Sequence, residues 1–465
     1  MENYFSHLVF IKIKMNIIFR IILYTSILLI VFSCLKTKRS LFDFSSPAGI
    51  GTFFVFSNVP PNQPTNSNTT TETVSSPSFT PQAGTYNSII DIEIKTTTAD
   101  AVIYYTLDGT DPTLASNKYT SPISIRTIAG LTLKAIGIKS NFSNSSVTAG
   151  IFSLLPLKTG QTTSFSSGDD GNKNLGTLRS FSGPTPHSVY TSDFTTTDNI
   201  TGLVWKTCAE GSTGSNCGGG SLQSNTWSSA PSYCTSLNSN NSNNGFAGRT
   251  NWRITSKQEL ESIIHYGASN EAIYATNFPT NGQLLGPIWA SEEYDISTAW
   301  IIDESNGYSF NLAKGNSAVF IRCVSGTAYK YSAILSDNNN GTIQDKRTGL
   351  IWQKCSRGQD PANSCSGGIT SDTWTNALSY CNSLTLASKS WRLPNINELK
   401  TISNFEATAP KIDSSFFPST ASSQYWSSTT YFPGTSSALV LDFGTGGIIY
   451  SPKSNSFAIR CVSGQ

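Results

Sequence analysis

The chain is poor in the residues on which most enzymes depend. Its 465 residues include three histidines and two methionines, and charged side chains make up 13% of the total. The histidines, His7, His187 and His265, stand far apart. There is no HExxH, no CxxC, no phosphate-cradling glycine loop and no Ser/His/Asp arrangement common to the repeated parts of the chain. Zinc hydrolysis, dithiol redox chemistry, nucleotide-driven transfer and triad hydrolysis therefore lack a motif. Charge of one sign is missing too, since 31 basic and 29 acidic residues leave a formal net charge of +2. Nucleic-acid binding needs a basic stripe that displaces counterions from phosphates, so nucleic acid is excluded as a partner. The apolar run Ile21–Phe32 falls short of the ~20 residues of a membrane span. We expect no enzyme, no cofactor and no metal.

What the chain does have is cysteine, and a stretch written twice. Eight of nine cysteines fall into two matched sets. TGLVWKTC, from Thr201 to Cys208, recurs as TGLIWQKC, from Thr348 to Cys355. Thr226-Trp227-x-x-Ala230-x-x-Tyr233-Cys234 recurs as Thr373-Trp374-x-x-Ala377-x-x-Tyr380-Cys381, and WRITSKQELESI from Trp252 as WRLPNINELKTI from Trp391. Both copies close on IRCVSG, from Ile321 and from Ile459. Such self-similarity means tandem domains, and matched cysteines mean that each is stapled alike in an oxidising compartment. Four cysteines allow three pairings. Proximity and topology favour Cys208 with Cys217 and Cys355 with Cys365 as local loops, and Cys234 with Cys323 and Cys381 with Cys461 as ties from the first helix to the last strand.

The ninth cysteine, Cys34, ends the apolar run that follows Lys12, Lys14 and Arg20, the layout of an export signal over 1–34. Ser33-Cys34 resembles a bacterial lipobox. That implies diacylglycerol on Cys34 and a lipid-anchored protein of the bacterial outer membrane, exposed at the cell surface. An uncleaved anchor helix beginning near Met15 is the alternative, and Met15 is also a candidate start. Residues 35–76 contain Asn58–Ser76, which has almost nothing apolar to bury and reads as a disordered tether. Residues 156–185 are again polar and Gly/Ser-rich, either a linker or an ordered but irregular approach to the first copy.

Between these, residues 77–155 show short alternating runs, including IDIEI and LKAIGI, that read as strands with one face buried. The segment Tyr104–Thr113 (YYTLDGTDPT) carries Asp-Gly and Asp-Pro and reads as a tight turn, which accounts for Asp108 and Asp111 better than acid/base or Ca²⁺ chemistry does. With the runs on either side, it resembles the chitobiase/β-hexosaminidase C-terminal domain. The resemblance implies an immunoglobulin-like β-sandwich used as an accessory module, without catalysis of its own.

The copies span 186–326 and 327–465. Trp374, Ala377, Leu378 and Cys381 fall at i, i+3, i+4, i+7 and predict a helix; Pro231 predicts a shorter or later one in the first copy. Ser256 with Glu259, and Asn395 with Glu398, are capping-box pairs at the start of a second helix, which explains the glutamates without catalysis. The run TGLxW, TWxxAxxYC, WRLPxxxEL, YWSSTTY, IRCVSG resembles the Lcl C-terminal domain and, more broadly, the C-type lectin-like fold. That resemblance implies surface display and adhesion through sulfated glycosaminoglycans. The expected architecture is thus multidomain: an all-β immunoglobulin-like sandwich followed by two α+β C-type lectin-like domains.

Charge separates the copies. The first carries Glu259, Glu261, Glu271, Glu292, Glu293, Asp295, Asp303 and Glu304; the second carries Lys346, Arg347, Lys354 and Arg357 around its first strand and Lys389, Arg392 and Lys400 near its second helix. Arg347, Lys354, Arg357 and Lys389 are therefore the candidate ligand-binding residues, with an ordinary solvated face, and Arg392 bracing the fold as Arg253 would, as the alternative. Tyr425, Trp426 and Tyr431 offer aromatic surface on which a sugar could stack, although Trp289 in the first copy points to Trp426 as at least partly core. The expected partner is a glycan or another host or extracellular-matrix ligand. A structural or protein-binding envelope component without sugar affinity is the alternative.

Overall fold

The computed structural model describes residues 71–125, 130–268, 271–282, 286–328, 331 and 333–464. The signal segment, Cys34 and the tether up to residue 70 lie outside the described residues. The alternating runs form eight strands: β1 (Ser78–Thr80), β2 (Gly84–Tyr86), β3 (Ile90–Lys95), β4 (Val102–Thr106), β5 (Asn117–Lys118), β6 (Ile123–Ile125), β7 (Leu131–Ile138) and β8 (Thr148–Leu154). One sheet is ordered β2-β8-β7-β4-β5 and the other β1-β3-β6. Along β7 every second residue turns inward, so Leu133 and Ala135 meet Ile92, Ile94 and Ile125 of the smaller sheet in one core. Asp108 Oδ1 accepts the Thr110 amide at 3.0 Å and Asp111 pairs with Lys134 at 2.8 Å, so the turn uses both carboxylates. The sandwich also claims the end of the expected tether. Val74 is 2% exposed, and its N–H donates to Ser143 O at 2.9 Å.

The two copies follow one plan. In the first, β9 (Phe181–Pro186), β10 (Phe194–Asp198), β11 (Val204–Lys206), β14 (Trp252–Ile254) and β18 (Cys323–Ser325) form a sheet ordered β14-β18-β11-β10-β9. A small ribbon, β12 (Ser212–Thr213) with β13 (Gly219–Gly220), branches from it, and β15 (Pro287–Glu293), β16 (Thr298–Asp303) and β17 (Ser309–Ala313) make a meander. The second copy has β19 (Leu335–Asp337), β20 (Thr342–Asp345), β21 (Ile351–Gln353) and β25 (Val462–Ser463) in its sheet, and β22 (Gln424–Thr430), β23 (Ser437–Asp442) and β24 (Ile448–Pro452) in its meander.

Among the described residues the helices are few and short: α1 (Asp170–Lys173), α2 (Ala230–Ser236), α3 (Lys257–Ser262), α4 (Trp374–Ser383) and α5 (Ile396–Thr401), besides an irregular turn at Asn240–Asn243 and short 3-10 turns. α4 buries Trp374, Ala377, Leu378 and Cys381, the face expected from their spacing. α2 begins later, with Pro231 in its first turn, where a missing N–H breaks no helical bond.

The copies are not beads on a string. β17 pairs antiparallel with β24 through Ser309 and Ile448, fusing the meanders into one sheet, β15-β16-β17-β24-β23-β22. Counted from the matched Asp303 and Asp442, Ser309 and Ile448 are the same position, so the copies meet about a local two-fold. Gly447 permits the approach, because a Cβ there would lie 2.6 Å from Ser309 O. A single core runs through the seam, with Leu260, Ile264 and Trp300 on one side and Leu399, Phe405 and Leu441 on the other. The approach segment is ordered within it. Tyr266 N donates to Thr159 O at 2.8 Å, Asn397 Nδ2 to Leu157 O at 2.7 Å, and the Gln161 amide exchanges bonds with Thr430 N and O at 3.0 and 3.1 Å. Residues 157–161 therefore strap both copies together.

Candidate functional site

Each copy is braced in the same way. Ser256 and Asn395 accept the Glu259 and Glu398 amides, and each glutamate returns a bond to its cap N–H. The same carboxylates grip Arg253, at 2.7 and 2.8 Å, and Arg392, at 2.6 Å twice, while these arginines donate on to Gly326 O and Gly464 O at 3.2 Å. With their oxygens committed, Glu259 and Glu398 hold the last strand to the helix start. Disulfides join Cys208 to Cys217, Cys234 to Cys323, Cys355 to Cys365 and Cys381 to Cys461, the expected pairing.

A further carboxylate escapes a sequence reading. In the first copy the Lys257 amide at the start of α3 donates to Glu292 at 2.8 Å. The second copy has Thr429 at the matching position, three residues past its Trp, and Thr429 Oγ1 accepts the Ile396 amide at 3.0 Å and passes a bond at 2.7 Å to Asp170, which lies in the approach segment. Burial pushes the Asp170 carboxyl up to about 7, against the pull of hydrogen bonds from Thr159 and Thr429.

Of the four candidate ligand-binding cations, Arg357 packs against α4, Lys389 follows that helix in the chain, and Lys354 and Arg347 engage other partners. Lys354 pairs with Asp337 at 2.7 Å, and Arg357 pairs with Asp372 at 2.7 Å while stacking 4.8 Å from the Tyr380 ring of α4. The Asp372 carboxyl is held down at about 2, first by Asn376 and then by Arg357. Lys389 stands in the loop that follows α4. Lys354 N donates to Gly341 O at 3.0 Å, and a Cβ on Gly341 would meet Leu386, three residues before Lys389, at 3.2 Å. Lys389 is half-buried, and no ion pair engages it among the described residues. Arg347 instead faces the sandwich, where its Nη1 donates to Gly130 O at 3.3 Å and its carbonyl accepts from Thr85 and Ser153.

The aromatic expectation needs correction. Tyr425 and Trp426 are fully buried, and the Tyr425 hydroxyl bonds Ser356. Tyr431 stacks on Tyr450 at 4.5 Å, and Tyr450 on Tyr308 of the first copy at 5.3 Å. Among the described residues Tyr450, 45% exposed, is the aromatic that faces outward, and its strand carries no motif that would flag it. The charge contrast is also smaller than the sequence suggests. In the first copy Glu259 and Glu304 are bound to Arg253 and Arg322, and Glu261 to Lys257. In the second, Arg392 and Arg460 are buried.

Both copies match one family, the Lcl C-terminal domain, over residues 194–325 and 341–463. The chain belongs to the Lcl C-terminal domain family. Residues 81–149 match the chitobiase/beta-hexosaminidase C-terminal domain, and no curated protein matches the chain. In each Lcl C-terminal copy the longer disulfide links the first helix to the strand that closes the sheet. The surface of α4 and its flanking loops is thus mounted on a covalently pinned element.

Proposed function

We propose that this Lcl C-terminal protein is a lipid-anchored binding protein of the bacterial outer surface whose second copy recognises an anionic glycan. The reading takes Cys34 as the lipid attachment site, the tether and sandwich as a spacer, and the two copies as C-type lectin-like modules without catalysis. The observation that carries it is Arg357, which stacks on the Tyr380 ring of the disulfide-pinned α4 and pairs with Asp372; Lys354, paired with Asp337, and Lys389, in the loop after α4, are the other cations of this copy on which the reading draws. Cations held over an aromatic ring suit sulfate or carboxylate groups on a sugar chain. Asp337 and Asp372 already partner two of them, so binding exchanges one carboxylate for another and is expected to be weak per site and strongly salt-dependent.

The test is retention of the full chain on immobilised heparin. Elution should fall steeply with salt, and Arg357→Ala combined with Lys389→Ala should abolish retention while the melting midpoint is kept. Failure to bind at low salt would sink the glycan reading and leave a protein-binding envelope component.

A further inference from the structure

Between the two copies lies a cavity of about 80 Å³, room for a few water molecules or one small oxyanion. Its wall holds three cations, Arg179, Lys257 and Lys400, and the carboxylate of Glu261. Arg179 is 8% exposed, Lys257 3% and Glu261 6%, and the Lys400 side chain is 15% exposed. Glu261 is already taken, by Lys257 Nζ at 2.5 Å and Lys400 Nζ at 3.8 Å. The two lysines also rest on rings across the seam, Lys257 5.2 Å from Phe405 and Lys400 5.5 Å from Tyr266.

Arg179 is left over. Its Nε donates to Lys158 O at 3.2 Å, but Nη1 and Nη2 are buried and meet no acceptor. The Tyr274 ring lies 5.4 Å away; burial pushes the pKa of the Tyr274 hydroxyl up, and Arg179 beside it draws it partly back down. Asp198 lies within the field of Arg179, but its Oδ1 accepts the Ile200 and Thr201 amides and it takes no part in the cavity wall. The Ser403 hydroxyl, also in the wall, is buried and unpartnered. A buried guanidinium fork with two idle donors is costly, and its planar geometry matches two oxygens of one anion.

We propose that the seam cavity binds a small oxyanion, gripped by the Arg179 fork, with Lys400 and the Ser403 hydroxyl completing its coordination. The site is separate from Arg357 and α4 and does not depend on the glycan reading. Because it is built from the approach segment and the second copy against the first, occupancy would lock the two copies together.

The full chain is titrated with sodium phosphate, sulfate or acetate, with ionic strength held constant by chloride, and both the heat of binding and the melting midpoint are followed. Phosphate or sulfate should give a saturable isotherm and a midpoint rise of about 3 °C. Saturation by acetate in place of these ions would assign the site to a carboxylate and still support it. Arg179→Gln should abolish saturation and Lys400→Met should weaken it about tenfold, while Lys118→Ala, at an exposed position of the sandwich, leaves it unchanged. A midpoint that climbs linearly and equally in the parent and in Arg179→Gln reflects general exclusion of salt from the surface and overturns the proposal. So does the absence of a saturable heat in the parent chain, whatever the variants do.

Discussion

Asp170 puts a titrating carboxyl in the buried interior, and its pH dependence has a definite sign. Its folded-state value of about 7 lies above the ordinary 3.8, so between these limits the folded chain holds a proton that the unfolded chain has lost. Stability contributed by this group is therefore present below pH 4 and lost as pH rises to 7, at up to about 1.4 kcal/mol per pH unit. Asp170→Asn should flatten that decline relative to the parent in urea denaturation at a series of pH values; parallel curves for the two proteins would refute the assignment. Residues of this kind mark the limit of a sequence reading. Ser256/Glu259 and Asn395/Glu398 were legible because a capping box is closed within four residues. Asp170 was not, because its partner Thr429 lies 259 positions away and only the fold joins them. The charge contrast between the copies misled for a related reason, since a count of carboxylates does not reveal that Glu304 and Glu261 face arginine and lysine indoors.

Elements with a strong local period were readable: α4 from its four inward residues, β7 from alternation, and the later start of α2 from Pro231. The strands β17 and β24 were not, because SFNLA and IIYSP are five residues long and gain their meaning from each other. Their junction turns on Gly447. Gly447→Ala would set a methyl group 2.6 Å from Ser309 O, and the backbones must part to admit it. The expected cost is about 1–3 kcal/mol, with faster amide exchange along β17 and β24 and unchanged protection in β11 and β18, which belong to the other sheet of the first copy. Uniform loss of protection would mean that the seam is not a separate cooperative unit.

At the scale of the whole molecule, the duplication announced two domains, and their fusion inverts what that implies for dissection. Thr327–Gln465 expressed alone would uncover Leu399, Phe405 and Leu441 together with the free edge of β24. It should self-associate, and the local two-fold says how: β24 against β24, a symmetric imitation of the β17–β24 pairing. The electrostatics oppose this imitation. Glu261 and Lys400 are matched positions that attract across the seam at 3.8 Å, whereas a pair of second copies would face Lys400 with Lys400. The self-associated form should thus be weak, and Lys400→Met should strengthen it, as read by light scattering during gel filtration. A strictly monomeric second copy, or one indifferent to Lys400, would show that the seam is incidental. The opposite outcome would mean that the charge swap at this position after duplication directs the two copies toward each other and away from like copies, with Glu261 on one side and Lys400 on the other.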